Sequence, residues 1–255
     1  MSGTYMLPLQ RKLSKYGISS LVYDRLGTGK SDKPDEMSFR VFAQHINEFV
    51  NLADNKSIIL VGHSFGGVAV QLYTQLYGLD SRIKSIILVE PTPADYILKL
   101  DGVQEKFRAM LKPSLLTIAS ILGDLGILRL FSDVLYLPFY FTTDFNFYES
   151  ARFYSDFVDG FSIRKLSTEF NSVRDMFDEG ARFISGWKPI PIKTTMVVGS
   201  GENPITTKEQ VSLFFEKTSA RLNSELLVDP TKSHFSILYS DLLFEVILRN
   251  SKPIQ

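Results

Sequence analysis

The chain has 255 residues, with 28 Lys plus Arg balanced by 28 Asp plus Glu, and no cysteine. That length can bury a sizeable core and fits one α/β domain carrying an insertion. The balanced charge points away from a nucleic-acid partner, and the lack of cysteine removes disulfides, thiolate zinc sites and a cysteine nucleophile, which fits a reducing, cytoplasmic setting.

Residues 1–17, MSGTYMLPLQRKLSKYG, lack the apolar core of a signal peptide. Residues 7–16 read as a short helix stopped by Gly17. Residues 18–24, ISSLVYD, read as a strand. Residues 39–52 carry apolar side chains at 39, 42, 46, 49 and 50, which is helical spacing. Residues 57–61, SIILV, form an apolar run of buried-strand type. A helix is expected over 66–77 and a second buried strand over 83–89, IKSIILV. Later strands are expected at 194–198, TTMVV, and 225–228, ELLV. Helices are expected at 208–219, with Thr207 and Gln210 as a capping box, and at 236–248.

Between these blocks lies a pause, residues 93–189, rich in aromatics and poor in strand-like runs. Its most apolar part, residues 114–141, is interrupted by Asp124, Arg129 and Asp133, so it is too short of charge-free length to span a bilayer. Contact with a membrane surface remains compatible with it. The alternation of strand and helix predicts an α/β fold with a mostly parallel sheet of about five strands flanked by helices. The expected division is a core of residues 1–92 and 190–255, with a helical cap of residues 93–189.

The stretch DRLGTGKSD, residues 24–32, resembles the end of a phosphate-cradling P-loop. A P-loop needs a glycine five residues before its Gly-Lys pair and a helix directly after it. Asp24 occupies the first position, and Pro34 disfavours helix at Lys33. Nucleotide binding is therefore not expected.

A sharper signal is Gly62-His63-Ser64-Phe65-Gly66-Gly67, a G-x-S-x-G sequence between an apolar strand and an apolar helix. A turn of that kind forces the serine into strained backbone angles and holds its hydroxyl at the edge of the sheet. The helix that follows favours negative charge at its N-terminus.

With these two motifs the chain resembles the α/β-hydrolase superfamily, and residues 3–34 are most like its proline iminopeptidase branch. The stretch YDRLGTGKSDKP is similar to that family's D-x-x-G-x-G-x-S loop, and GHSFGG to its nucleophile elbow. The resemblance implies a serine hydrolase with the chain order Ser, acid, His. It assigns Ser64 as nucleophile, and His234, between the last strand and the last helix, as base. Of the two other histidines, His63 is expected to pack beside the nucleophile and His45 to be structural or solvated.

The acid is less defined. The family usually places it after its seventh strand, here residues 198–205, VGSGENPI, where Asn203 precedes the proline and Glu202 is the single carboxylate. Glu202 is the expected acid. Glu90, at the end of IKSIILV, is the alternative. Asp95 and Asp229 are expected to be solvated or capping. Backbone N–H of Phe65 is expected to serve the oxyanion. The second donor of this family comes from an H-G-G-P-G-G loop, of which Gly3 would be the last residue. On that reading the chain is an N-terminally shortened form, with residues 18–24 shifted against 57–61 or frayed, and with poor catalysis.

The implied substrate is a small-molecule ester or amide with an apolar part, and no metal or organic cofactor is needed. The alternatives are a non-catalytic homologue acting as a binding protein, and an aminopeptidase of the proline iminopeptidase type.

Overall fold

The computed structural model describes residues 3–32, 35–54, 57–92, 113–130, 189–199 and 208–251, together with 163–164, 172, 175–176 and 178–183. The chain divides into two compact units. One comprises residues 1–37 and 105–174, the other residues 38–104 and 175–255. Most of the expected cap, residues 93–189, lies outside the described residues.

In the first unit, a single 3-10 turn, Gly3–Met6, runs into α1, Leu7–Ser14. Pro8 sits in the first turn of α1, where its missing N–H costs nothing. Gly17 leaves the helix at φ 72°, a left-handed stop that glycine adopts without strain. Two further helices are α4, Pro113–Asp124, and α5, Ile127–Leu130.

Residues 18–24 correct one expectation. They form no strand, and Leu21 is 67% exposed. A strand exists only through its ladder, and the described residues of this unit offer no other strand to pair with. β-Branched and aromatic composition alone could not supply that partner.

The glycine-rich loop that follows is built around a carboxylate. Asp24 Oδ1 accepts from the Gly3 N–H at 2.5 Å, and Oδ2 from the Lys30 N–H at 3.0 Å. Gly29 passes so close that a Cβ there would meet the Asp24 carboxylate at 2.4 Å. Ser31 Oγ donates to the Asp24 carbonyl at 2.6 Å. The amides that a P-loop would turn toward phosphate are here turned toward the chain's own aspartate.

The second unit holds the sheet. Its strands are β1, Ile58–His63; β2, Ile83–Val89; β3, Thr194–Val198; and β4, Glu225–Val228. They lie in the order β1-β2-β3-β4, all parallel. Four described strands therefore stand where about five were expected. β2 and β3 are the buried centre, and β1 is mostly half-buried. Short apolar runs without alternation are what a strand covered on both faces requires.

Four helices accompany the sheet: α2, Phe39–Leu52; α3, Phe65–Tyr77; α6, Lys208–Leu222; and α7, Asp241–Ser251. α2 buries Phe39, Phe42, Ala43, Ile46 and Val50, one stripe at helical spacing. Its N-terminus is capped twice. Ser38 Oγ accepts from the Val41 N–H at 3.2 Å, and the Glu179 carboxylate accepts from the Phe39 N–H at 2.7 Å. α3 buries every residue from Gly67 to Thr74, as a helix inside the core does.

The last helix was expected over 236–248 as one piece. Instead a 3-10 turn, Ser236–Tyr239, stops at Ser240, whose ψ of 144° is extended. The Ser240 hydroxyl then accepts from the Leu243 N–H at 3.1 Å and starts α7. A serine before an aspartate is a strong N-cap, and it overrides the apolar periodicity that runs across it. The expected Thr207 cap of α6 lies outside the described residues.

Candidate active site

Parallel pairing sets the site. His63 is registered with Val89, Val89 with Val197, and Val198 with Val228. The residues just past these ends, Ser64, Glu90, Gly199 and Asp229, therefore emerge along one edge of the sheet.

Ser64 adopts φ 53° and ψ −121° between β1 and α3. No residue other than glycine enters that region without strain, which the surroundings must impose. Here they do. The Ser64 N–H donates to the Val89 carbonyl at 3.0 Å, and its carbonyl accepts from the Gly67 N–H at 2.9 Å and the Thr92 N–H at 3.2 Å. The turn also needs close backbone passage. A Cβ on Gly62 would meet the Gly66 carbonyl oxygen at 2.6 Å, and one on Gly67 would meet Pro91 at 2.7 Å. Gly66, the last residue of the five-residue motif, has open space around its Cβ direction, so the steric demand falls on its neighbour.

His234 follows β4 in the loop before α7. Its Nε2 lies 3.2 Å from Ser64 Oγ, and its Nδ1 lies 2.7 Å from Glu90 Oε2. Glu90 is 3% exposed and has φ 40°, a second strained residue at the strand ends. Its other oxygen, Oε1, accepts from the Gly199 N–H at 2.6 Å. A Cβ on Gly199 would meet the Lys232 carbonyl oxygen at 2.3 Å and Glu90 Oε1 at 2.9 Å, so this position admits only glycine without movement.

The carboxylate on His234 is thus that of Glu90, the alternative, while the preferred Glu202 lies outside the described residues, as do Asn203 and Asp95. Asp229 caps its own turn, accepting from the Thr231 N–H at 3.1 Å and the Thr231 hydroxyl at 2.6 Å. The Gly3 N–H is engaged by Asp24, as described above. Phe65 is the first residue of α3, and its ring meets that of Phe39 edge-on at 5.6 Å. The first N–H groups of a helix have no acceptor within it.

His63 packs beside the centre. Its Nε2 donates to the His234 carbonyl at 2.8 Å, and the two imidazole rings lie 4.7 Å apart. His45 remains half-buried on α2. Thr92 was not singled out from the sequence. Its hydroxyl lies 3.1 Å from Ser64 Oγ, and the residue is 8% exposed. The signal available was positional: Thr92 follows a strand that neighbours the one ending at Ser64. Among the described residues, no group of three His, Asp or Glu side chains is placed to hold a metal ion, and no helix is long and apolar enough to cross a membrane.

A family profile described as alpha/beta hydrolase fold matches residues 3–112. The proline iminopeptidase of Saccharolobus solfataricus is 38% identical over 80 residues, covering 30% of this chain and 26% of that protein. The proline iminopeptidase of Thermoplasma volcanium is 29% identical over 117 residues, covering 42% of this chain and 39% of that protein. The chain thus spans well under half the length of these curated relatives. An esterase from Exiguobacterium antarcticum superposes with a TM-score of 0.63 at 18% identity, covering 99% of this chain and 88% of its own. Residues 3–112 are thus similar to the α/β-hydrolase superfamily, and the parallel sheet flanked by helices is an α/β-hydrolase fold.

Proposed function

We propose that the protein is a serine hydrolase that transfers the acyl group of a small ester or amide, one with an apolar part, to water. The observation that carries this reading is the continuous relay from Ser64 Oγ through His234 to Glu90, mounted on a strained elbow. The similarity to an esterase fold and to iminopeptidase sequences agrees with it.

In the reaction, His234 Nε2 takes the Ser64 hydroxyl proton as Oγ attacks the acyl carbon. The carbonyl electron pair moves onto oxygen. The Phe65 N–H and the N-terminus of α3 serve that oxyanion. Collapse of the tetrahedral intermediate breaks the bond to the leaving alcohol or amine, which takes the proton back from His234. Water then repeats the sequence on the acyl-enzyme and releases the acid. Throughout, Glu90 holds the imidazole by its Nδ1–H and balances the imidazolium charge. A triad of these groups needs no metal or organic cofactor.

The test is labelling of the folded protein by a fluorophosphonate, followed by a panel of short-chain p-nitrophenyl esters and aminoacyl amides. Labelling at Ser64 that Ser64→Ala abolishes supports the hydrolase. Preference for an N-terminal prolyl amide over the esters would favour the aminopeptidase form. A folded wild type that neither labels nor turns over any panel member returns the chain to the non-catalytic, binding homologue.

A further inference from the structure

We infer that Thr92 is a further catalytic residue, whose hydroxyl donates to Ser64 Oγ and stabilises the charge that develops there. The inference rests on the proposed hydrolase reading and concerns the same site.

The direction of this hydrogen bond follows from counting protons along the relay. Both Glu90 oxygens accept, one from the Gly199 N–H and one from His234 Nδ1. With Nδ1 as donor, Nε2 of the neutral ring is an acceptor. Ser64 then spends its single hydroxyl proton on Nε2, at 3.2 Å. Its oxygen keeps lone pairs and no proton. The contact of 3.1 Å to Thr92 Oγ1 must therefore carry the threonine's proton toward the serine.

The placement is built rather than incidental. Thr92 is held to Ser64 a second time, its N–H donating to the Ser64 carbonyl at 3.2 Å. Ser64 in turn is tied to β2 through its N–H on the Val89 carbonyl. The two residues are thus clamped backbone to backbone before the side chains meet. Burial keeps the threonine hydroxyl from exchanging this partner freely for water.

The chemical consequence is differential. In the resting enzyme the bond joins two neutral hydroxyls. As His234 removes the proton and Oγ attacks, the oxygen gains negative charge and the bond becomes charge-assisted, which strengthens it. An interaction that strengthens on the way to the transition state raises kcat rather than only lowering KM. In deacylation, Oγ leaves the acyl carbon carrying negative charge until His234 returns its proton. Thr92 serves that departure in the same way, so both half-reactions gain.

The test compares Thr92→Val and Thr92→Ser with wild type. Both variants keep the N–H to the Ser64 carbonyl, and thermal melting checks that each is folded. The first readout is the second-order rate of fluorophosphonate labelling, in which Oγ attacks phosphorus, fluoride departs and His234 takes the proton. The second is kcat and KM on whichever ester the wild type cleaves best. Thr92→Val is expected to slow labelling and kcat by about ten- to a hundredfold, the size of a charge-assisted hydrogen bond, with little change in KM. Thr92→Ser, which restores a hydroxyl, is expected to recover most of that loss. A folded Thr92→Val that labels within about twofold of a reactive wild type would overturn the role of Thr92 and leave the hydrolase standing. Equal losses in both variants would also overturn it, because a packing role explains them. A wild type that does not label at Ser64 would sink the hydrolase reading and this inference together.

Discussion

Glu90 Oε2 lies 2.7 Å from His234 Nδ1, although the two residues are 144 positions apart and Glu90 directly follows a strand in the middle of the sheet. The carboxylate that orients the imidazole thus comes from the end of β2. The neighbouring strand β3 contributes the Gly199 N–H that holds this carboxylate from the other side.

Glu90→Gln should lower kcat on an ester substrate on the order of 10²–10⁴-fold, since the imidazolium loses its charged partner and the ring its fixed tautomer. Glu202→Gln should change it far less. Steady-state kinetics of both variants against one substrate decide the matter, and a larger effect from Glu202→Gln would remove Glu90 from the relay.

Gly199→Ala should be harmful out of proportion to its single methyl group. The new Cβ would sit 2.3 Å from the Lys232 carbonyl oxygen, a rigid backbone atom, so the loop carrying His234 must move. A loss of about 1–3 kcal/mol in stability is expected, together with a fall in kcat as the new Cβ, 2.9 Å from Glu90 Oε1, pushes that carboxylate from its place. Denaturant melts and ester kinetics measure the two effects. Wild-type values for both would show that the Lys232 loop yields freely.

The turn before β2 should carry an acid-sensitive contribution to stability. Arg82 grips both carboxylate oxygens of Asp80, through Nε at 2.9 Å and Nη2 at 2.7 Å, and its Nη1 also reaches the Ala53 carbonyl. These hydrogen bonds lower the Asp80 pKa from 3.8 to about 2. A carboxyl whose folded value is depressed stabilises the fold above its unfolded value and loses that contribution as pH falls through the folded one. Wild type should therefore melt above Asp80→Asn at neutral pH, and the gap should narrow between pH 4 and pH 2. A gap that stays constant across this range would show that Asp80 acts through shape rather than charge. Because the pair is near the surface, added salt should shrink the gap.

Asp24→Ala should loosen the glycine-rich loop without affecting any nucleotide, because none is expected to bind there. Two amides, those of Gly3 and Lys30, lose their acceptor. Faster hydrogen exchange at residues 3 and 30 is expected, and isothermal titration of wild type with ATP should give no heat of binding. Saturable ATP binding abolished by Gly29→Ala would revive the phosphate loop.

Several features were legible in the residues alone. The helix over Phe39–Leu52 and the strands Ile83–Val89, Thr194–Val198 and Glu225–Val228 have the bounds their apolar patterns dictate. Periodicity is a local property, and the buried parallel strands Ile83–Val89 and Thr194–Val198 leave little polar alternation to confuse it. The nucleophile turn was legible for a related reason: strand, small residues, serine and helix succeed one another within a few positions, so the strained conformation of Ser64 is written in a contiguous stretch.

What only the tertiary structure decided was anything that depends on which strand lies beside which. Residues 18–24 have strand composition and form no strand, since a ladder needs a partner that composition does not name. Glu90 and Thr92 each follow the same strand, a position that made Glu90 the alternative acid but neither chose it over Glu202 nor singled out Thr92. Their meaning comes from the pairing of β1 with β2, which sets Thr92 on Ser64, and from the further pairing of β2 with β3 and β3 with β4, which brings Gly199 and the His234 loop to the Glu90 carboxylate. Contacts across 144 or 170 residues are fixed by register and chain reversal, which no short window of sequence contains.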